Sequence, residues 1–323
     1  MTFPPVFDGL TSPPHLRRLP ALAIPLLAFL AFVAAGLVGL YRYVDSYWLY
    51  RGFPPPHDPA YVTQAGSFQT LYVRSQAVGG RRQRVVVYLP PGYASSAPQR
   101  YPVLYLLHGF PGDPEGFVRT IRVGVVEDAL LAKHRLKPTI LVMPMGSTGV
   151  FTDKEWANGV HPGNAWETFL ARDVVRAVDR RYRTIATGAA RGLAGLSEGG
   201  YASLNIGLHH PGEFRVLESW SGYQQADDVK SVFGGRPSLL ARNSPLVTLR
   251  PAARTLRSDG AFIWFYTGSK DSLRHENRLF AAELDRLRVA HLFFVVEGGH
   301  TWALWRRNAW QALAVASAHL AHG

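Results

Sequence analysis

The 323-residue chain contains no cysteine, which excludes disulfides, thiolate metal sites and a cysteine nucleophile. Its hydrophobic content of 47% and aromatic content of 12% are those of a chain with a sizeable core, not of a disordered one. The formal charge of +12 suits contact with anionic lipid or envelope polymer; no basic run with interleaved aromatics or known binding motif points to nucleic acid.

Residues 1–18 are proline-rich and end in Arg17-Arg18, and from Leu19 to Tyr41 no charged residue occurs. About 20 apolar residues suffice to cross a bilayer as a helix, so 19–41 is expected to be a transmembrane anchor. Two arginines before the run favour a cytoplasmic tail over 1–18 and place the remainder outside. Val33-Ala34-Ala35 offers a weak cleavage site, so a cleaved signal peptide and a secreted product form the competing expectation. The apolar run continues past that site through Leu37, Val38 and Leu40, which favours the uncleaved anchor. Residues 42–60 begin aromatic, as suits a segment leaving the headgroup layer, and carry four prolines between Gly52 and Pro59. They are expected to form a stiff spacer. A single domain over 61–323 follows.

Within that domain strands and helices alternate. The pattern predicts strands over Arg84–Leu89, Val103–Leu107, Thr139–Met143, Val216–Trp220, Phe262–Tyr266 and Leu292–Val296. It predicts helices over Val123–Lys133, Trp166–Tyr182, Leu273–Leu287 and Trp302–Leu320, with a loop-rich insertion from Gly222 to about Thr248, a candidate lid. Short apolar strands between amphipathic helices imply an α/β architecture, a mainly parallel sheet with helices on both faces.

The stretch that orders the rest is Gly195-Leu196-Ser197-Glu198-Gly199. Leu193, Ala194 and Leu196 end a buried strand, and from Tyr201 through Leu208 the pattern turns helical. Serine between two glycines at a strand-to-helix turn is the nucleophile-elbow pattern: a tight turn lifts the hydroxyl clear of the sheet, and a side chain at either glycine would strike a neighbouring strand or helix. A serine hydroxyl needs a base to take its proton and an acid to orient that base. Asp271, after Thr267-Gly268-Ser269-Lys270, and His300, after Glu297-Gly298-Gly299, each follow a predicted strand in the order serine, acid, histidine. Capping the helix that begins near Leu273 is the less favoured reading of Asp271, and the two roles are compatible. His161 and His275 are the weaker alternative bases, Glu276 and Glu297 the fallback acids. No H-E-x-x-H spacing occurs, so neither metal nor cofactor is expected. The tetrahedral oxyanion needs two donors, assigned to the backbone N–H groups of Glu198 and of Phe110, in the loop after His108-Gly109. His108, Trp166, Glu167 and Trp302 are candidates for lining the substrate, with Trp302 and Trp305 one helical turn apart.

Tyr101-Pro102-Val103-Leu104-Tyr105-Leu106-Leu107-His108-Gly109, Trp166-Glu167-Thr168-Phe169-Leu170, the elbow and Gly299-His300-Thr301-Trp302 together resemble the esterase D and feruloyl-esterase type of esterase. The same set is similar to the mycolyltransferases of mycobacterial envelopes. The resemblance covers roughly residues 80–320. It implies an α/β-hydrolase fold and acyl transfer from a serine to water or to a sugar alcohol. It carries over Ser197, Asp271 and His300 as the triad and Phe110 and Glu198 as the oxyanion donors. The chain departs from the mycolyltransferases in having aspartate as the acid, where they use glutamate, and Glu198 after the nucleophile, where they usually have an apolar residue. The expected activity is ester hydrolysis outside the membrane on an ester substrate, an envelope lipid or acylated carbohydrate. Transfer to a sugar or lipid acceptor is the first alternative, and a non-catalytic envelope-binding domain the second.

Overall fold

The computed structural model describes residues 23–93 and 98–323; the tail expected over 1–18 lies outside the described residues. Eight strands form one sheet in the order β1-β2-β4-β3-β5-β6-β7-β8. They are β1 (Ser67–Ser75), β2 (Arg81–Leu89), β3 (Val103–Leu107), β4 (Ile140–Pro144), β5 (Arg191–Leu196), β6 (Val216–Trp220), β7 (Phe262–Gly268) and β8 (His291–Val296). β1 and β2 pair antiparallel, as do β2 and β4, and every later pairing is parallel. This is the mainly parallel sheet that the alternating pattern predicts, in the α/β-hydrolase arrangement that the resemblance implies. β1 lies outside those expectations, because it is an edge strand whose first residues are exposed on both faces and give no clean period of two.

The helices are α1 (Ala23–Tyr43), α2 (Val123–Ala132), α3 (Trp166–Thr168), α4 (Val175–Arg181), α5 (Glu198–His209), α6 (Lys230–Phe233), α7 (Pro237–Arg242), α8 (Pro245–Ser258), α9 (Arg274–Arg286) and α10 (Trp302–His319). Side chains alternate across each strand, so the sheet feeds two cores. Val103, Tyr105 and Leu107 of β3 meet Val178 of α4, Tyr201 and Leu204 of α5, Leu256 of α8 and Phe280 of α9 on one face. Leu104 and Leu106 meet Val126 of α2 and Leu304, Trp305 and Leu313 of α10 on the other. The central strands β3, β4, β5 and β6 are buried on both faces, and β3 and β4 read as unbroken apolar runs for that reason.

Two expectations are corrected. The helix expected over Trp166–Tyr182 is interrupted by a wide turn at Phe169–Val174. The Gly222–Thr248 insertion is largely helical, holding α6, α7 and the start of α8. Pro237 and Pro245 each open a helix there, where proline's missing N–H costs nothing. The insertion is also bound to the elbow helix: Tyr201 Oη donates to Asn243 O at 2.8 Å and Asn205 Nδ2 to Asn243 Oδ1 at 3.1 Å.

The apolar helix α1 has no buried residue and, with the wide turn Val44–Leu49, forms a 27-residue segment whose most apolar 18-residue window has mean hydropathy 2.5, long and apolar enough to cross a membrane. The expected spacer over 42–60 is not free of the domain. Thr120 Oγ1 donates to Leu49 O at 3.2 Å, Arg119 Nη1 to Tyr50 Oη at 3.3 Å, and the Arg306 guanidinium lies 4.6 Å from the centre of the Phe53 ring.

Candidate active site

The parallel strands end together, and the loops that leave them gather the chemistry. Ser197 is the residue between β5 and α5, with φ 55° and ψ −122°. A non-glycine residue there stores strain of about 1–3 kcal/mol, sustained only because the surroundings fix it. Its N–H donates to Trp220 O at 3.0 Å, and its carbonyl accepts from Tyr201 N at 3.0 Å. The flanking glycines are required by space. A Cβ at Gly195 would lie 2.2 Å from Gly199 O, and one at Gly199 would lie 1.9 Å from Leu107 O of β3.

Asp271 follows β7 and His300 follows the neighbouring β8. Their loops interlock through Ser269 N to Val296 O at 2.7 Å and Lys270 N to Gly298 O at 2.9 Å. Across that junction His300 Nδ1 lies 2.9 Å from Asp271 Oδ2, and His300 Nε2 lies 2.8 Å from Ser197 Oγ. The side chain of Asp271 is fully buried, while that of His300 is 35% exposed, so the pair is anchored inside and open at the serine. Burial pushes the Asp271 carboxyl up, but the hydrogen bonds from His300 and from Leu273 N outweigh it and hold the group below its ordinary value. An aspartate ionised at neutral pH favours the tautomer with the proton on His300 Nδ1, in which Nε2 accepts a hydrogen bond from the Ser197 hydroxyl. The other oxygen, Oδ1, takes the Leu273 N–H at 3.0 Å. Asp271 therefore braces the turn into α9 with one oxygen and holds the imidazole with the other. Glu276 instead accepts from Gln224 N, and no polar contact links it, Glu297, His161 or His275 to Ser197 among the described residues.

Glu198 opens α5, so its N–H has no acceptor within the helix. Phe110 lies just past the end of β3. There Gly109 passes so close that a Cβ would stand 3.0 Å from Ser197 Cβ and from Leu196 O. Both predicted donors thus belong to segments pressed against the nucleophile. The carboxyl of Glu198 is buried, and burial together with the charges of Glu155 and Asp153 pushes it well above the usual carboxylate range. That favours the neutral acid beside the Ser197 turn.

Three candidate lining residues turn inward and are reassigned to support. His108 is buried: its Nδ1 lies 2.9 Å from Gly109 O, and its Nε2 accepts Gly146 N–H at 3.0 Å. With Trp156, whose Nε1 donates to His108 O at 3.1 Å, it fixes the loop that carries Phe110. Trp166 is wholly buried and donates to Asn164 Oδ1 at 2.9 Å. Glu167 is bound by His209 and His210 at 3.0 and 2.9 Å. Burial raises its carboxyl, but those two imidazoles bring it down to about 2, so it ties α3 to the end of α5. Trp302 is half-buried and borders an open cleft, as a lining residue would. Trp305 packs edge-on against the His300 ring, centroids 5.0 Å apart.

Sequence reasoning passed over Glu155. It follows β4, its carboxylate accepts from Tyr223 Oη at 2.6 Å, and Tyr223 stacks on Tyr201 at 4.4 Å. Burial lifts its pKa to about 8, the Tyr223 hydrogen bond lowers it, and the charges of Asp153 and Asp227 add to the rise. The available signal was the acidic Asp153-Lys154-Glu155 run leaving a strand on the same sheet edge as Ser197. A folded pKa raised from 4.5 to about 8 means that this residue's stabilising contribution is complete below 4.5 and lost as pH climbs toward 8. Glu155→Gln, which cannot ionise, is expected to gain stability relative to wild type between pH 5 and 8, by at most about 1.4 kcal/mol per pH unit. Urea unfolding in detergent at four pH values in that range checks this, and parallel curves for the two proteins would refute it.

A family model described as "Putative esterase" matches residues 75–315. An endo-1,4-beta-xylanase/feruloyl esterase of Xylanibacter ruminicola is 33% identical over 160 residues, covering 49% of this chain and 22% of that protein. Esterase Rv1288 of Mycobacterium tuberculosis is 34% identical over 138 residues, covering 43% of this chain and 28% of that one. The matches thus span about a quarter of the length of these curated relatives. A ferulic acid esterase structure superposes with a TM-score of 0.70 at 24% identity, over 80% of this chain and all of the other. MPT51 of Mycobacterium tuberculosis superposes at 0.61 with 17% identity, over 80% and 100%.

Proposed function

This chain belongs to the esterase family matched over residues 75–315, and from that premise we propose that it is a serine ester hydrolase held at the outer face of a membrane by α1. The observation that carries the reading is the pair of contacts Ser197 Oγ–His300 Nε2 and His300 Nδ1–Asp271 Oδ2.

In this mechanism His300 Nε2 takes the proton of Ser197 as Oγ attacks the ester carbonyl. The N–H groups of Phe110 and Glu198 receive the charge that builds on the carbonyl oxygen. One such donor is typically worth about 2.7–4 kcal/mol of barrier, because it is aimed before the charge appears. His300 then gives its proton to the departing alcohol, and the acyl group stays on Ser197. A water deprotonated by the same imidazole releases the acid. The triad asks for neither metal nor cofactor. Transfer to a sugar or lipid hydroxyl would use the same residues and differ only in what attacks the acyl-enzyme.

An ester panel on the full chain in detergent, with products separated in the presence and absence of a carbohydrate acceptor, tests the reading. Free acid as the main product is expected; acylated carbohydrate would assign the chain to transfer. If a fluorophosphonate leaves the folded protein unlabelled, a non-catalytic binding domain is the better account.

Asp271→Asn is expected to lower kcat by about 10³–10⁴-fold at neutral pH. An amide that presents its NH₂ to Nδ1 favours the tautomer with the proton on Nε2, which cannot accept from serine. Steady-state kinetics on any hydrolysed ester checks this, and a loss under tenfold would remove Asp271 from the mechanism.

A further inference from the structure

A cleft of about 390 Å³, within the range of small-molecule sites, is lined by Gly112, two residues past Phe110, and by Trp302, two residues past His300. One wall comes from the segment that follows α1, with Val44, Trp48 and Leu49, and the opposite wall from Val150, Phe151 and Trp302. Gly112, Asp113, Glu115 and Gly116, which follow Phe110, also line it. Gly112 N donates to Val150 O at 3.1 Å, and a Cβ at Gly112 would stand 2.5 Å from Gly109 O. At Gly116 a Cβ would meet the Trp302 ring at 2.9 Å. Trp302 packs edge-on against Trp305 at 5.3 Å, and Trp305 against His300 at 5.0 Å. The cleft therefore runs alongside both segments that serve the serine, the Phe110 loop and the His300 loop.

Contacts across the cleft hold the two walls together. Trp48 meets Phe151 edge-on at 5.9 Å, and the Arg51 guanidinium sits between the Trp48 and Trp302 rings, 5.1 and 5.4 Å from their centres. Such cation–π contacts are each worth about 0.5–1 kcal/mol at exposed sites, enough to hold a wall that the core does not pack. Phe151, at 69% exposed, and Trp48, at 42%, are large apolar surfaces left facing the cleft and solvent.

We infer that this cleft receives the hydrocarbon tail of an ester-bearing bilayer lipid, so that the anchor's exit segment forms part of the substrate site. This rests on the serine-hydrolase reading above and names its substrate class. The argument is positional. Val44, the first wall residue, directly follows Tyr43, the last residue of a helix whose whole apolar length is exposed. A tail rising from the bilayer beside α1 meets the cleft within about one helical turn, before it meets bulk water. Its reacting ester, nearer the headgroup, is then delivered toward the Phe110 loop and Ser197. A soluble ester gains nothing from this wall, whereas a lipid exchanges one apolar environment for another and avoids exposing its tail, at about 0.8 kcal/mol per methylene.

The test uses the full chain reconstituted in phosphatidylcholine vesicles with wild type and a Trp48→Ser/Phe151→Ser variant, assayed on a lipid ester diluted in the vesicles and on a water-soluble short-chain ester. The ratio of kcat/KM for the vesicle ester to that for the soluble ester is expected to fall at least tenfold in the variant. A wild-type lipid probe with a diazirine in its tail is expected to crosslink to residues 44–51 or 150–151. An unchanged ratio, or crosslinks confined to α1, overturns the inference while soluble-ester turnover leaves the serine-hydrolase reading intact. Loss of all activity and of fluorophosphonate labelling in wild type would sink both.

Discussion

Ser197→Ala is expected to abolish turnover, lowering kcat/KM by about 10⁴–10⁶-fold on every ester the wild type cleaves, while leaving the fold in place. The size follows from the role proposed for the hydroxyl. Without Oγ there is no nucleophile for His300 to activate, and only binding and the oxyanion donors remain; in serine hydrolases these alone retain a small residue of rate acceleration. Stability should change little, because the Ser197 hydroxyl contacts His300 Nε2, and the backbone bonds from Ser197 N to Trp220 O and from Tyr201 N to Ser197 O do not depend on it. Alanine suffers the same backbone strain at φ 55° as serine does. Thermal unfolding should stay within a few degrees of wild type, and labelling by a fluorophosphonate should vanish. A folded Ser197→Ala protein that retains a tenth of wild-type activity would place the chemistry elsewhere.

Gly199→Ala is expected to be among the most damaging single methyl additions at the described glycines. Its Cβ would fall 1.9 Å from Leu107 O, 2.5 Å from Leu107 C and 2.8 Å from His108 O. These are backbone atoms of a strand paired with β4 on one side and β5 on the other, so no side chain can swing aside. Helix α5 must move off the sheet instead. Overpacking of this kind commonly costs about 1–3 kcal/mol, and a clash with fixed backbone belongs at or beyond the top of that range. The displaced strand end carries His108, Gly109 and Phe110, so the proposed oxyanion donor moves with it, and a misplacement near 1 Å can cost about 10²-fold in rate. A lower urea midpoint together with a kcat reduced at least a hundredfold is the expected pair of results. Gly149→Ala is the control, since its Cβ would meet only Thr152 Oγ1 at 3.7 Å. Equal stability for the two variants would mean that the elbow tolerates a side chain and that its glycines are not there for space.

Elements built from local patterns were readable in advance. β3 and β6 match their expected limits, and β5 and α5 flank Ser197 as its two glycines require. Side chains whose role depends on what surrounds them were not. Trp166 and Glu167 look alike in sequence whether they face a substrate or a core. Burial and the two imidazoles of His209 and His210 make them internal ties. Glu155 carries no local sign that its proton will persist to about pH 8, because that follows from burial beside Asp153 and Asp227. The cleft behind Trp302 joins residues near position 48 to others near 150 and 302, a separation that no periodicity spans.

Sequence alone determined the alternation of strand and helix, the strained serine turn and the order of serine, acid and base, since each is written in neighbouring residues through backbone sterics and hydrophobic period. The tertiary structure decided which imidazole and which carboxylate meet that serine, which acids burial pushes toward the neutral form, and that the segment after α1 lines a cleft with Trp302. These depend on distances and desolvation between parts of the chain far apart in sequence, and such quantities exist only once the sheet has brought its strand ends together.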